Sequence, residues 1–311
     1  MAVAAMTTTA ARTARRRTYA DDQDRWLPHV LILPVTLAVV AFILVPLGWG
    51  LRLSLTDTKL IGMGFTDGFT LRNYAAVLAS PAFWGAFWVT LLYSAGTVVG
   101  GVALGLATAL VLNLDFWGRG VVRTLIILPW AIPHVVAALI WQWMYNPDYG
   151  VINYAIGWLP FIGAAPNWLS NPDLALVSVI LVNVWKTFPF AALIILAGLQ
   201  TISDDMYEAA DMDGAGPFRR FVDITLPGLR HVMAIVILLL TIWSFGNFVF
   251  IFLMTQGGPA GATNALVVKI YFEAFKFFRA GPAFAMGAVL LAVSTVLAIA
   301  YLAVVRRSQH D

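Results

Sequence analysis

The sequence predicts an all-α, polytopic membrane protein with six transmembrane helices. Composition, the number of long apolar stretches, and the distribution of positive charge between loops carry that expectation. Of 311 residues, 60% are hydrophobic and 11% charged, with a mean hydropathy of +0.83. A soluble globular chain carries about 25% charged residues, so a cytosolic enzyme and a disordered chain are excluded. The pI of about 9.3 hints at nucleic acid. A net charge of +3 with no long basic run beyond the N-terminal tail does not support it. With no cysteine, there is no disulfide framework and no thiolate chemistry.

The elements follow in order. Residues 1–29 form a polar tail whose Arg12, Arg15, Arg16 and Arg17 are expected on the cytoplasmic side. A spanning helix needs about 20 apolar residues, and six stretches satisfy this: Val30–Leu51, Trp88–Leu112, Val121–Tyr145, Leu174–Leu199, Val232–Met254 and Ala283–Val305. The first is longer than a signal-peptide core and runs into Arg52 instead of a small-residue cleavage site. With the N-terminus inside, twelve Lys and Arg fall in inner segments and six in outer loops, with Lys186 left inside a span. Both termini are therefore expected in the cytoplasm. The transmembrane body is expected at 30–305, followed by a short inner tail at 306–311.

The inner loop at 200–231 is too elaborate for a simple connection. Ser203 can cap a helix with Asp204 and Asp205 at its positive end. Gly214 and Gly216 break that helix, and Pro217 suits the first turn of a second one that ends near Pro227. Two short amphipathic helices around a glycine turn make a knob with apolar, small and charged patches. Such a knob can rest on lipid headgroups, but its acidic first half disfavours an anionic leaflet, and a protein partner suits it better.

These residues carry a resemblance. Glu208-Ala209-Ala210, then Asp213-Gly214-Ala215, with nine residues between Gly214 and Ile224-Thr225-Leu226-Pro227, closely resembles the EAA loop of permeases from binding-protein-dependent ABC importers. Trp185-Lys186-Thr187-Phe188-Pro189-Phe190, Gly198-Leu199-Gln200 and Leu253-Met254-Thr255-Gln256-Gly257-Gly258-Pro259 resemble the sugar-importer branch, and within it the maltose-type first permease subunit. The resemblance covers roughly Leu71 to the C-terminus. It implies the type I ABC importer permease fold in a bacterial inner membrane, and a non-catalytic subunit of an ATP-driven importer for a sugar or related polyol. It further implies a second permease subunit, two cytoplasmic ATPase subunits, and an extracytoplasmic sugar-binding protein docking through Asn146–Asp173 and Gln256–Pro282. No cofactor is implied in this chain, because the ATPase partners bind ATP and magnesium. Glu208, Ala209, Ala210, Asp213, Gly214, Ala215, Leu226 and Pro227 would couple to the ATPase.

Polar residues inside spans default to functional hypotheses. At about 1.5 Å per residue, Trp130 and His134, then Asn183, Lys186 and Thr187, then Ser244 and Asn247 fall near mid-depth of their spans. Trp130 and His134 are spaced i,i+4, Asn183, Lys186, Thr187 and Phe190 share one face, and Ser244 and Asn247 are i,i+3. Pro129, Pro133 and Pro189 occupy the same zone and free backbone carbonyls. Hydrogen-bonding groups beside the plates of Trp130, Phe190 and Trp243 suit a sugar. In maltose-type relatives the matching positions line the sugar site, which the resemblance carries over to Trp130, His134, Lys186, Thr187, Phe190, Trp243, Ser244 and Asn247. The plainer alternative is that such residues glue helices together. Trp84, Trp88, Trp141, Trp143 and Trp158 are expected as interfacial anchors or packing.

No Gly-rich loop ending in Gly-Lys-Ser/Thr, His-Glu-x-x-His or Gly-x-Ser-x-Gly occurs in the sequence. The competing class is an ion-coupled secondary transporter of a small polar solute. That class is expected to show intramembrane carboxylates and inverted repeats, and neither is visible in the sequence.

Overall fold

The computed structural model describes residues 27–57, 68–157 and 166–307. The expectations placed on Arg12, Arg15, Arg16, Arg17, Arg25, Lys59 and Trp158, and on residues 308–311, lie outside these. The chain divides into two compact units, residues 1–53 and 54–311.

The first unit contains α1 (Leu27–Val39), a π turn at Val40–Leu44, and α2 (Val45–Ser54) as far as Leu53, with Ser54 opening the second unit. The Val45 N–H reaches back to the Val40 carbonyl, one residue further than in an α-helix. The π turn ends two residues before Pro46, which has no N–H to donate.

The second unit begins with α3 (Arg72–Leu78), anchored where the Asn73 amide donates to the carbonyls of Ser54 (2.9 Å) and Thr56 (2.8 Å). Its two longest unbroken inner helices, α4 (Pro81–Asn113) and α8 (Pro172–Leu199), pack on each other. Glycines let the backbones approach. A Cβ at Gly100 would stand 2.7 Å from Val184 Cγ2, and one at Gly105 would stand 2.7 Å from Ala191 Cβ. Between apolar helices in lipid, such close packing replaces water expulsion as the source of association.

Helices α5 (Arg119–Ala131) and α6 (His134–Met144) pack on α8, and the chain also forms α7 (Val151–Ile156) and α9 (Asp204–Met212). Next come α10 (Pro217–Arg220), a π turn at Phe221–Thr225, and α11 (Leu226–Gly228). The chain continues through α12 (Arg230–Phe245), α13 (Val249–Thr255) and α14 (Leu266–Tyr271), ending in α15 (Ala280–Arg307). Tyr93, Val179, Val182, Phe250 and Met254 centre one apolar cluster; Leu112, Ile195, Leu229 and Leu240 centre a second.

Among the described residues, four helices are long and apolar enough to cross a membrane, and six segments are if each bent pair counts as one span. Two expected spans differ in form. Val121–Tyr145 is not one straight helix: α5 and α6 meet at 96°. Val232–Met254 is interrupted too, since α12 stops at Phe245 and α13 begins at Val249. A hydropathy window registers apolar length and is blind to a break that leaves the composition apolar.

Candidate functional site

Pro133 creates the site. It lacks an N–H, and its ring holds Ile132 in an extended conformation, φ −66° and ψ 134°. Helix α5 therefore stops at Ala131 and strands carbonyl oxygens deep in the span, away from bulk water. Lys186 of α8 supplies their partners. Its Nζ donates to the carbonyls of Pro129 (2.9 Å) and Trp130 (2.7 Å), and also to that of Ile132. An ammonium has three N–H donors, so this clasp uses them all and sets the cation at the negative end of the α5 dipole. Lys186 is 2% exposed.

A cavity of about 450 Å³ opens beside the clasp. Trp130 and His134 from either side of the break share its wall with Lys186 and Thr187 of α8, and with Trp243 and Asn247. Their common position does not come from i,i+4 spacing, as the sequence suggested, because the helix is broken between Trp130 and His134. The bend brings them together instead. Phe190 lies behind this wall, stacked on Trp130 at 6.1 Å and tilted against Trp243 at 4.8 Å, so it backs both indoles.

Several polar groups are engaged with one another. The Asn183 amide donates to Thr97 Oγ1 (3.2 Å) and its oxygen accepts from the Asn247 amide (3.1 Å). The Asn247 oxygen in turn accepts from the Phe250 N–H (3.3 Å), which fixes the start of α13. Thr187 donates to its own helix at the Asn183 carbonyl (2.7 Å). Ser244 is not part of the cavity wall: it is 2% exposed and its hydroxyl meets that of Ser94 at 2.6 Å. The i,i+3 pairing with Asn247 fails because α12 ends between them. His134 keeps its capacity. Its ring lies 5.5 Å from Phe250, and its nitrogens make no hydrogen bond among the described residues. Sequence reasoning missed Phe248 and Val249, which also line the cavity but read as ordinary span residues.

The knob follows the C-terminus of α8. The Ser203 hydroxyl accepts from the Asp205 N–H (3.3 Å) and caps α9. Gly214, at φ +74°, turns the chain. An Arg220–Asp211 ion pair ties the two helices (2.5 Å), and the Tyr207 and Thr225 hydroxyls meet at 3.0 Å. Glu208, Ala209, Asp213, Gly214, Leu226 and Pro227 are exposed, while Ala210 and Ala215 are half-buried. Three apolar side chains also stand out, Met206, Met212 and Phe218, the last two more than 80% exposed. All three belong to the two short helices of the knob.

A family described as binding-protein-dependent transport system inner membrane component matches residues 101–310. The chain is 38% identical, over 88% of its length and 90% of the relative's, to the trehalose/maltose transport system permease protein MalF of Thermococcus litoralis. It is 35% identical to the sulfoquinovosyl glycerol transport system permease protein SmoG of Agrobacterium fabrum, over 92% of both chains. A bacterial ABC transporter that imports the acidic polysaccharide alginate has the same fold, with a TM-score of 0.79 at 23% identity, over 94% of this chain and 99% of that one.

Proposed function

The chain belongs to the family of binding-protein-dependent transport system inner membrane components, and from that premise we propose that it is the permease through which a saccharide crosses a bacterial inner membrane. A permease of this family breaks no bonds. The observation that carries the saccharide assignment is the mid-span cavity: two indole faces, an imidazole with unspent hydrogen-bonding capacity, and an amide around about 450 Å³. Relatives whose names specify trehalose, maltose and sulfoquinovosyl glycerol support it.

Trp130 and Trp243 pack on pyranose faces, His134 and Asn247 bond hydroxyls, Phe190 backs the indoles, and Lys186 holds the bend that presents them. The Glu208–Pro227 knob seats in a cytoplasmic ATPase subunit, with Met206, Met212 and Phe218 as its apolar contacts. A second permease, two ATPase subunits and an extracytoplasmic binding protein complete the assembly, and both termini face the cytoplasm. Closure of the ATPase pair moves the knob and α8 with it, and access to the cavity alternates between the two sides.

The test is uptake of a panel of radiolabelled mono-, di- and oligosaccharides by proteoliposomes holding the full complex and its binding protein. ATP-dependent, vanadate-sensitive accumulation of at least one saccharide is expected. Uptake by this chain alone, abolished by ionophores and indifferent to ATP, would contradict it.

A further inference from the structure

A second cavity, about 460 Å³, opens at the other end of the α6–α13 pair. Both helices start at the mid-span cavity, with His134 and Val249, and end at this one, with Gln142 on α6, Tyr145 capping it, and Leu253 to Thr255 on α13. From His134 to Gln142 is about 12 Å at helical rise. Between the cavities, Ala137, Ala138, Phe250 and Ile251 form a dry layer, each no more than 1% exposed.

The wall of this second cavity is built of amides and aromatic rings. Trp168 is held in place: its indole N–H donates to Asn153 Oδ1 (2.7 Å), its ring lies 5.6 Å from Tyr145, and the Tyr145 hydroxyl donates to the Ser178 carbonyl (3.3 Å). Asn146 spends its oxygen on the N–H groups of Asp148 and Tyr149, which leaves its amide hydrogens for the cavity. The side-chain amides of Gln142, Asn167 and Gln256 make no hydrogen bond among the described residues. Gln256 stands at φ +50°, a strained region for a non-glycine residue that is over-represented at binding sites. No charged side chain is in the wall among the described residues.

We propose that this second cavity is a saccharide subsite, occupied by the cargo before it passes the Ala137–Phe250 layer into the mid-span cavity. Paired donors and acceptors on primary amides match vicinal hydroxyls, and a fixed indole edge-lined by Tyr145 offers an apolar surface for the ring carbons. An anionic lipid headgroup would call for a cation in the wall, and among the described residues there is none. The subsite rests on the saccharide assignment above and adds a position along the route.

The probe is a diazirine derivative of whichever saccharide the parent complex accumulates in the uptake panel. It is photolysed on the full complex and the labelled peptides are mapped. Labelling of Asn146–Pro147, Asn167–Ser170 or Thr255–Pro259 is expected, displaced by the underivatised sugar. The Gln142→Ala/Gln256→Ala variant should lower that labelling at least fivefold while the complex still assembles and peptides around Trp130 and Trp243 are still labelled. Label confined to the mid-span cavity would overturn the subsite. So would labelling unchanged in the variant, or a variant whose only defect is weaker co-sedimentation with the binding protein, which would make the cavity a protein seat. A parent complex that accumulates no saccharide fails at the panel itself, which separates failure of the saccharide assignment from failure of the subsite.

Discussion

Three carbonyl oxygens converge on the Lys186 ammonium because Pro133 leaves them without helical partners. Each buried acceptor deprived of its donor costs about 1–3 kcal/mol. Lys186→Met, similar in volume and without donors, is therefore expected to lower the thermal midpoint and the membrane yield of the chain. A purely substrate-binding lysine would leave both unchanged and weaken only transport. Ser244→Ala is expected to cost about 1 kcal/mol through the lost Ser94 bond, with little change in the saccharide KM. The depth and the oddity of a lysine in an apolar span were legible in the sequence, and so were the prolines. That the lysine and the prolines answer one another was not, because the carbonyls lie on a different helix, 54 to 57 residues away. Ser244 shows the opposite: a polar residue at cavity depth that turns toward a neighbouring helix.

At the scale of elements, the bend between α5 and α6 sets the cavity. With no native cysteine, spin labels at Val121→Cys and Trp143→Cys, both exposed positions, report it directly. At helical rise, a 96° bend puts these positions about 21 Å apart, and a straight helix about 33 Å. Pro133→Ala restores an N–H and frees Ile132 to turn helical, so the distance distribution is expected to shift toward the longer value. A distribution that stayed short would assign the bend to the Lys186 clasp alone. The α4–α8 contact is the second element-scale feature. Gly105→Ala puts a Cβ 2.7 Å from Ala191 Cβ and 3.1 Å from the Ala192 nitrogen, so the helices must part, at about 1–3 kcal/mol. Thermal unfolding in detergent measures it. The spans were readable because apolar length is a property of composition. Kinks were expected at Pro129, Pro133 and Pro189, but neither the 96° size of the bend at Pro133 nor the interruption at Gly246 was read. The glycine stripe was missed, although Gly96-x-x-x-Gly100 and Gly101-x-x-x-Gly105 are the small-residue spacing that brings membrane helices together.

At the scale of the molecule, α8 joins the two regions proposed to function, the mid-span cavity and the knob. Its 28 residues extend about 42 Å, with the clasp and cavity at its middle and the knob beyond its C-terminus. The knob was the most legible part of the sequence, because capping, glycine turn and proline are local rules that need no knowledge of neighbours. The partner proposed for the knob is another polypeptide, so the proposed role rests on the family and on the knob's exposed surface. Glu208 is exposed and makes no ion pair among the described residues. A Cβ added at Gly214 meets no atom within 4 Å, and Asp tolerates the left-handed conformation better than most residues. Glu208→Lys and Gly214→Asp are therefore expected to fold and reach the membrane, so that any loss of transport reports the coupling.

The decisive measurement is the ratio of saccharide accumulated to ATP hydrolysed by proteoliposomes holding the full complex with Gly214→Asp in this chain. If the knob carries motion from the ATPase to the spans, the ratio falls at least tenfold while the variant chain is present at the parent's level. A parental ratio in a well-expressed variant would contradict the account.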